Sequence, residues 1–447
     1  MRLAVLSLAV IAVAGCSGVR GVMTPATSAY SASAARVRHN TSCPTPYTGS
    51  GVPLAFINDS SSNIPTSDIN FLFTATNPNS TSEYEYLNAQ GSMTVFAQGN
   101  SATDLPLSSC FPGSVGTSGK GTKLIVPILP GGRLWIALND KLELNGESGG
   151  QFEQPTGWTS GDPGYNVPWD FIEVSSNSPN PGIFVDITRV DMLGLPLNLE
   201  VLPTSASSPF TKVGENLGDY TKMLKQFASD APYNKLFKPV PKFSPSVPRI
   251  INPSHDSNFP NVFNNSSYYS GGYMNAVLSY YQDTKGITYG TSYKGTYCLG
   301  TWDAGVENKD FIFTMGTQEH KYAKSLYSTL YIFEDNPGSN YTAGSCQYLL
   351  DKILLQELNR GVAMKKSHPV TDTSDFYPKN EIDNQYACIL HNYSLHYATY
   401  AFAFDDADGQ ASAFSNTAPT KIELTLGQIP KALPTAQPSP KPCKAAY

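Results

Sequence analysis

Charge is scarce in this sequence. Only 15% of its 447 residues are Asp, Glu, Lys or Arg, and the 36 acids outnumber the 30 bases. There is no long basic run and the formal net charge is −6. A nucleic-acid partner is therefore not expected, because phosphate backbones are gripped by concentrated positive charge. Cysteine pairs of the CxxC kind are missing, which argues against zinc and dithiol redox sites. No metal or organic cofactor is expected. The apolar stretch at residues 3–13 is too short to cross a bilayer, which takes about 20 residues. What is plentiful is glycine (36), proline (34), tyrosine (26) and phenylalanine (21), a mixture that favours short strands and tight turns over helix bundles.

The first residues, MRLAVLSLAVIAVAGCSG, read as a targeting segment with one Arg, an apolar stretch and then small residues. Val13-Ala14-Gly15-Cys16 resembles the bacterial lipobox, which implies lipidation of Cys16 and a chain exported and tethered to the cell surface, or simply secreted. Any membrane association is expected only through that anchor. Residues 17–48 are Ser/Ala/Thr-rich and aperiodic, as in a flexible tether. Besides Cys16 there are Cys43, Cys110, Cys298, Cys346, Cys388 and Cys443, an even number that fits disulfides in an exported chain. Spacing leaves their connectivity open.

From Pro53 onward, PLAFIND, INFLFTATN, SMTVFAQG, KLIVPILP, GRLWIALND, WDFIEV and LPLNLEVLP are short β-rich runs separated by Gly, Pro and Asn. They predict a β-sandwich or barrel. The middle differs. GENLGDYTKMLKQFASDAPYNKLF places Leu217, Tyr220, Met223, Leu224 and Phe227 near one helical face, a second helix is expected near Ser270, and GSCQYLLDKILLQELNRG predicts a third ending at Gly361. YATYAFAFDDADG then alternates like a strand, with KIELTLG as its expected partner. The expected organisation is a signal peptide with lipobox (1–16), a tether (17–48), a β-domain (49–205 and 396–428), an inserted mixed α/β domain (206–395) and a Pro-rich tail (429–447).

One stretch carries acids where core residues are expected: FIEVSSNSPNPGIFVDITRVDMLGLPLNL, from Phe171 to Leu199. Read as a hairpin, its polar loop brings Glu173 toward a second strand. Taken as one continuous strand, 183–193 puts Ile183, Val185, Ile187, Arg189, Asp191 and Leu193 on one face. Phe184, Asp186, Thr188, Val190 and Met192 fall on the other. Two carboxylates across a groove suit glycosidic bond hydrolysis, one donating a proton to the leaving oxygen and one activating the attacking group. Alone, such acids also fit a solvated strand end, with Arg189 as a partner.

WDFIEVSSN and GIFVDITRVDMLGLPL resemble the core motif of glycoside hydrolase family 64, β-1,3-glucanases built on a thaumatin-like barrel. The flanking PLAFIND, LPGGRLWIALNDKLEL, ELNRG, DFYPKN, NQYACILH and TYAFAFDDADG are collinear with that pattern, so the resemblance spans most of 51–427. It implies a mainly β fold, a thaumatin-like β-sandwich or barrel with an inserted α/β domain. It further implies an endo-acting, inverting hydrolase of β-1,3-glucan that releases short oligosaccharides; the chain is expected to be a monomer. By this resemblance Glu173 is the general acid and Asp191 the general base, while Ser175, Asn177, Phe184 and Thr188 line sugar subsites. Phe184 departs from the pattern, which has Trp there, and the hairpin is about two residues longer through Ser178-Pro179-Asn180-Pro181. Asp186 reads as structural or subsite-lining. Asp405-Asp406 either lines an acidic cleft or ends a strand; His320, His368, His391 and His396 read as surface or packing residues. A non-catalytic glucan-binding protein on the same barrel is the alternative, and a host-interaction surface protein a third.

Overall fold

A computed structural model of the chain describes residues 47–430, apart from 61–63, 103–104, 107–123, 177–181, 204–209, 241–246, 261, 263–271, 285–286, 294–295, 305–309, 316, 324–329, 334–344, 366, 379–380 and 407–409. Cys16, the tether up to residue 46, the Pro-rich tail from residue 431, Cys43, Cys110, Cys443 and the hairpin tip with Asn177 lie outside the described residues.

Thirteen strands build two facing sheets, one of them the short strand Leu105–Pro106. The other twelve begin with β1 (Gly51–Asn58), β2 (Ile69–Thr76), β3 (Tyr84–Leu87), β4 (Met93–Val95), β5 (Ile125–Pro127) and β6 (Arg133–Leu138). After them come β7 (Trp169–Ser176), β8 (Ile183–Asp186), β9 (Leu197–Leu202), β10 (Lys212–Gly214), β11 (Ala413–Asn416) and β12 (Lys421–Leu426). One sheet runs β10-β9-β12-β1-β5. The other runs β11-β8-β7-β6-β2-β3-β4, with the short strand Leu105–Pro106 also paired to β2.

The sandwich interior follows from period-two alternation. Leu134 and Ile136 of β6, Ile172 and Val174 of β7, and Ile183 and Val185 of β8 point inward. They pack against Leu54, Leu197, Leu199, Ile422 and Leu424 of the other sheet. Gly182, just before β8, has φ 103°, and a Cβ there would meet the Asn416 carbonyl oxygen at 2.0 Å, so only glycine lets the hairpin close against β11.

Between β10 and β11 the chain forms a mixed α/β layer. Its helices are α1 (Tyr220–Ser229), α2 (Tyr273–Asp283), α3 (Cys346–Asn359) and α4 (Gln385–Asn392). Ser345 caps α3 by accepting from the Tyr348 amide at 3.2 Å, and Gly361 ends it at φ 70°. A sheet of Ile287–Tyr293, Thr296–Ala304, Asp310–Met315, Gln318–Ala323 and Ser367–His368 completes the layer. A Cys298–Cys346 disulfide ties that sheet to the start of α3, and Cys388 is also disulfide-bonded. The fold is thus mainly β with an α/β portion.

The outer face of the second sheet is covered by this layer. Leu72, Trp135, Trp169 and Phe171 share one core with Tyr220, Met223, Leu224 and Phe227 of α1 and with Leu354 and Leu358 of α3. Trp302 is buried in the same core.

Two readings of alternation do not hold. Strand β8 stops at Asp186, so the two-faced pattern drawn through Leu193 ends there. The run 399–406 is not the partner of β12. Strand β12 pairs in parallel with β1, Leu54 opposite Ile422, and antiparallel with β9, Leu199 opposite Leu424. Residues 402–406 turn instead, with Phe404 at φ 68°. Buried Asp405 fixes that turn, meeting His391 Nε2 at 2.9 Å and Arg360 Nη2 at 3.2 Å.

Candidate active site

Register lines up one row of side chains across the outer face of the second sheet. Tyr86, Thr74, Arg133, Glu173, Asp186 and Ala413 each stand opposite the next, on β3, β2, β6, β7, β8 and β11. Two residues along the strands the same face is apolar, with Leu72, Trp135 and Phe171 in register beneath the helices. The charged row begins where that cover ends.

Arg133 sits at its centre. Its Nε donates to Glu173 Oε1 at 3.1 Å and Nη2 stands 3.1 Å from the same oxygen, with side chains 30% and 17% exposed. The guanidinium also rests 4.9 Å from the centre of the Phe171 ring, within cation–π range. Burial works against its charge, but the fields of Glu173, Asp191 and Asp186 outweigh that and hold its pKa raised.

Asp191 arrives by another route. After β8 the chain runs irregularly to Met192–Leu193, which pairs with Pro248–Ile251, and the Asn252 amide donates to the Asp191 carbonyl at 2.8 Å. His255 Nε2 meets Asp191 Oδ1 at 3.1 Å, the imidazole 9% and the carboxylate 44% exposed. The imidazole stacks on Trp158, ring centres 3.5 Å apart and planes within 9°. Desolvation raises the Asp191 pKa, yet the His255 hydrogen bond and charge, with Arg133, bring it below the ordinary carboxylate value.

Arg189 does not partner Asp191. It is fully buried, donating from Nη1 to Asp170 at 2.9 Å and from Nε and Nη2 to Glu215 at 2.7 and 3.0 Å. Asp170 also accepts from the Gly194 and Leu195 amides at 3.0 and 2.8 Å, so the cluster clamps the loop that carries Asp191.

Asp186 is the least expected member. It is 3% exposed, lies opposite Glu173 in the strand pair, and its Oδ1 has no hydrogen-bond partner among the described residues. Burial first, then the nearby charges of Glu173 and Asp406, push its pKa well above the usual range against the pull of Arg133. Asp406 comes from the turn at 402–406, beside half-buried Tyr400. Lys352 of α3 lies 4.0 Å from the Phe404 ring centre and 4.7 Å from that of Tyr348, and burial lowers its pKa.

Ser175 and Phe184 stand opposite each other on the Glu173 face, Ser175 buried and Phe184 half-buried. Thr188 is bridged to Tyr400, and its Oγ1 accepts from the Val190 amide at 3.3 Å. Arg133 and His255 are the members of this cluster that the sequence did not single out. Among the described residues, no cluster of His, Cys, Asp or Glu could hold a metal ion.

The fold is matched by known proteins. A family model described as Beta-1,3-glucanase, glycoside hydrolase family 64, matches residues 50–426. A laminaripentaose-producing β-1,3-glucanase solved with laminaritetraose is similar in structure, with TM-score 0.65 and 19% identity over 85% of this chain and 99% of that one. A β-1,3-glucanase domain from Clostridium beijerinckii gives 0.62 and 19% over 84% and 98%. No curated protein matches the chain. At these identities the solved structures establish the fold, whereas the family model covers most of the sequence and its motif region. The chain belongs to glycoside hydrolase family 64, the β-1,3-glucanases, and is a glycoside hydrolase acting on β-1,3-glucan.

Proposed function

We propose that the protein is an exported, endo-acting β-1,3-glucanase that inverts the anomeric centre and releases short oligosaccharides. Glu173 protonates the leaving glycosidic oxygen, and Asp191 takes a proton from the water that attacks the opposite face of the sugar. One observation carries this reading: two acids on different chain segments share the field of Arg133 yet have opposite surroundings. Asp191 is open to water and held ionised by His255, as a base must be. Glu173 is more enclosed and stands next to a second, buried acid. Ser175 and Phe184 stand on the Glu173 face, and with Thr188 and Asn177 they are assigned to the sugar subsites. The description of one similar structure as laminaripentaose-producing supports short products here.

The test is reducing-sugar release from linear β-1,3-glucan. Glu173→Gln and Asp191→Asn each lower kcat by roughly 10²–10⁴-fold while the protein stays folded. NMR of the first product formed gives the α-anomer. Full activity in either variant, or a β-anomer first product, overturns the assignment. Export with lipidation at Cys16 is read out by palmitate labelling that Cys16→Ser abolishes, and the monomeric state by sedimentation.

A further inference from the structure

The pairing of Arg133 with Glu173 raises a problem for the acid half of the reaction. A carboxylate held by a guanidinium is ready to accept a proton, whereas the leaving oxygen needs a donor. The missing proton has an obvious place to sit. Asp186 lies directly opposite Glu173 in the antiparallel ladder, where facing Cβ atoms are about 4.5–5.5 Å apart. It is 3% exposed, and its buried Oδ1 has no hydrogen-bond partner among the described residues.

The charges around Asp186 are unbalanced. Glu173 faces it from β7 and Asp406 and Tyr400 from the 400–406 segment, while Arg133 and Arg189 pull the other way and Lys352 of α3 acts on Asp406. Its neighbour on the β11 side is Ala413, which offers no charge. Arg189 is committed to Asp170 and Glu215, and Arg133 is paired with Glu173 while also in the field of Asp191. Closely spaced carboxyl groups without matching cations resist ionising together, so one holds its proton to higher pH than an isolated carboxyl does.

We propose that Glu173 and Asp186 form a two-carboxyl unit that holds one proton between them, with Asp186 as its buried store and Glu173 as the end that delivers it. This rests on reading Glu173 as the general acid. Burial fixes the division of labour: Asp186 cannot touch the sugar, so it is a positioning residue, and its proton reaches the leaving oxygen only through Glu173. The proton count closes. The Asp186 O–H bond breaks as a Glu173 O–H bond forms, Glu173 passes that one proton to the leaving oxygen as the glycosidic bond breaks, and Asp191 takes one from the attacking water. Solvent returns one proton to the pair, and Asp191 releases one.

The experiment compares Asp186→Asn and Glu173→Gln with the wild type on β-1,3-glucan and on a dinitrophenyl β-laminaribioside, whose leaving group needs no proton. Asp186→Asn is expected to lose roughly 10²-fold in kcat on the glucan and to stay near the wild-type rate on the aryl substrate. The alkaline limb of its kcat/KM profile moves to lower pH, because a single carboxyl beside Arg133 gives up its proton sooner than a repelling pair does. A wild-type rate and pH profile on the glucan overturns the proposal, as does an equal loss on both substrates. Should Asp186→Asn fail to fold, carbon-13 NMR of aspartate-labelled wild type decides the matter. A signal assigned to Asp186 that is still protonated at pH 7 upholds the store, and an ionised Asp186 overturns it. Glu173→Gln separates the two claims. If it is dead on glucan but active on the aryl substrate while Asp186→Asn behaves as wild type, only the shared proton falls. If it keeps full activity on glucan, both fall.

Discussion

Two arginine–carboxylate clusters lie on either side of β7 and differ in almost every respect except composition. Arg189 is sealed in the interior with Asp170 and Glu215, which share its guanidinium and accept further backbone amides. Arg133 is partly open, paired with Glu173 while Asp186 and Asp191 crowd its field. Asp170 and Glu173 are three residues apart on one strand, so pleating sends them to opposite faces. The sealed cluster is balanced by hydrogen bonds and holds a loop in place. The open one has more acid than its cation satisfies, and that surplus is a source of proton chemistry.

Breaking each cluster separates the two roles. Removing the sealed cation has the largest expected effect on folding. Arg189→Met strands two buried carboxylates and costs about 3–5 kcal/mol in denaturant unfolding; a change below about 1 kcal/mol refutes the clamp. Arg133→Met is expected to leave stability within about 1 kcal/mol, because the pair is partly exposed. Its glucanase kcat nevertheless falls about tenfold or more, as expected when a charge close to the reacting groups is lost; an unchanged kcat would detach Arg133 from the chemistry.

A smaller effect is read as a shift in pH. His255 and Arg133 hold Asp191 below the ordinary carboxylate value. A base with a lowered pKa stays ionised, and its activity persists, until the pH falls through that lowered value. His255→Gln therefore moves the acidic limb of kcat/KM to higher pH, and an unmoved limb contradicts the coupling. The same sign governs folding: the contribution of Asp191 is present above its unfolded pKa and lost as pH falls through the folded one. Trp158→Ala removes the ring against which His255 stacks, and should move the limb in the same direction but less far. A larger shift than His255→Gln would mean that Trp158 acts by another route.

Much of the fold is legible where a single period governs a run. The alternation of Ile172 and Val174 with Phe171 and Glu173 announces β7, and Tyr220, Met223, Leu224 and Phe227 announce α1. Alternation misleads at 399–406. There the backbone bends through Phe404 at φ 68°, held by His391, Asp405 and Arg360 from distant positions, and no local pattern reports such bonds. The acids Glu173 and Asp191 stand out because they interrupt apolar runs. Arg133 does not, since a charged residue at a strand end is ordinary. His255 is a lone histidine in a Pro-Ser-His turn, and only the pairing of Met192–Leu193 with Pro248–Ile251 brings it to Asp191. Asp186 becomes meaningful only through the register that sets it opposite Glu173.

The position of β12 has a consequence for how the molecule is made. It is the middle strand of its sheet, flanked by β9 and β1, although it follows every other strand of the sandwich in the chain. As the polypeptide emerges from the ribosome, β1 and β9 must wait, their apolar faces uncovered, until residues 421–426 have been synthesised. A nascent chain stopped before that point has two sheet fragments and nothing to join them. The sandwich is completed only after synthesis has passed Leu426, so a chaperone that shields β1 and β9 in the interval would raise the yield of folded protein.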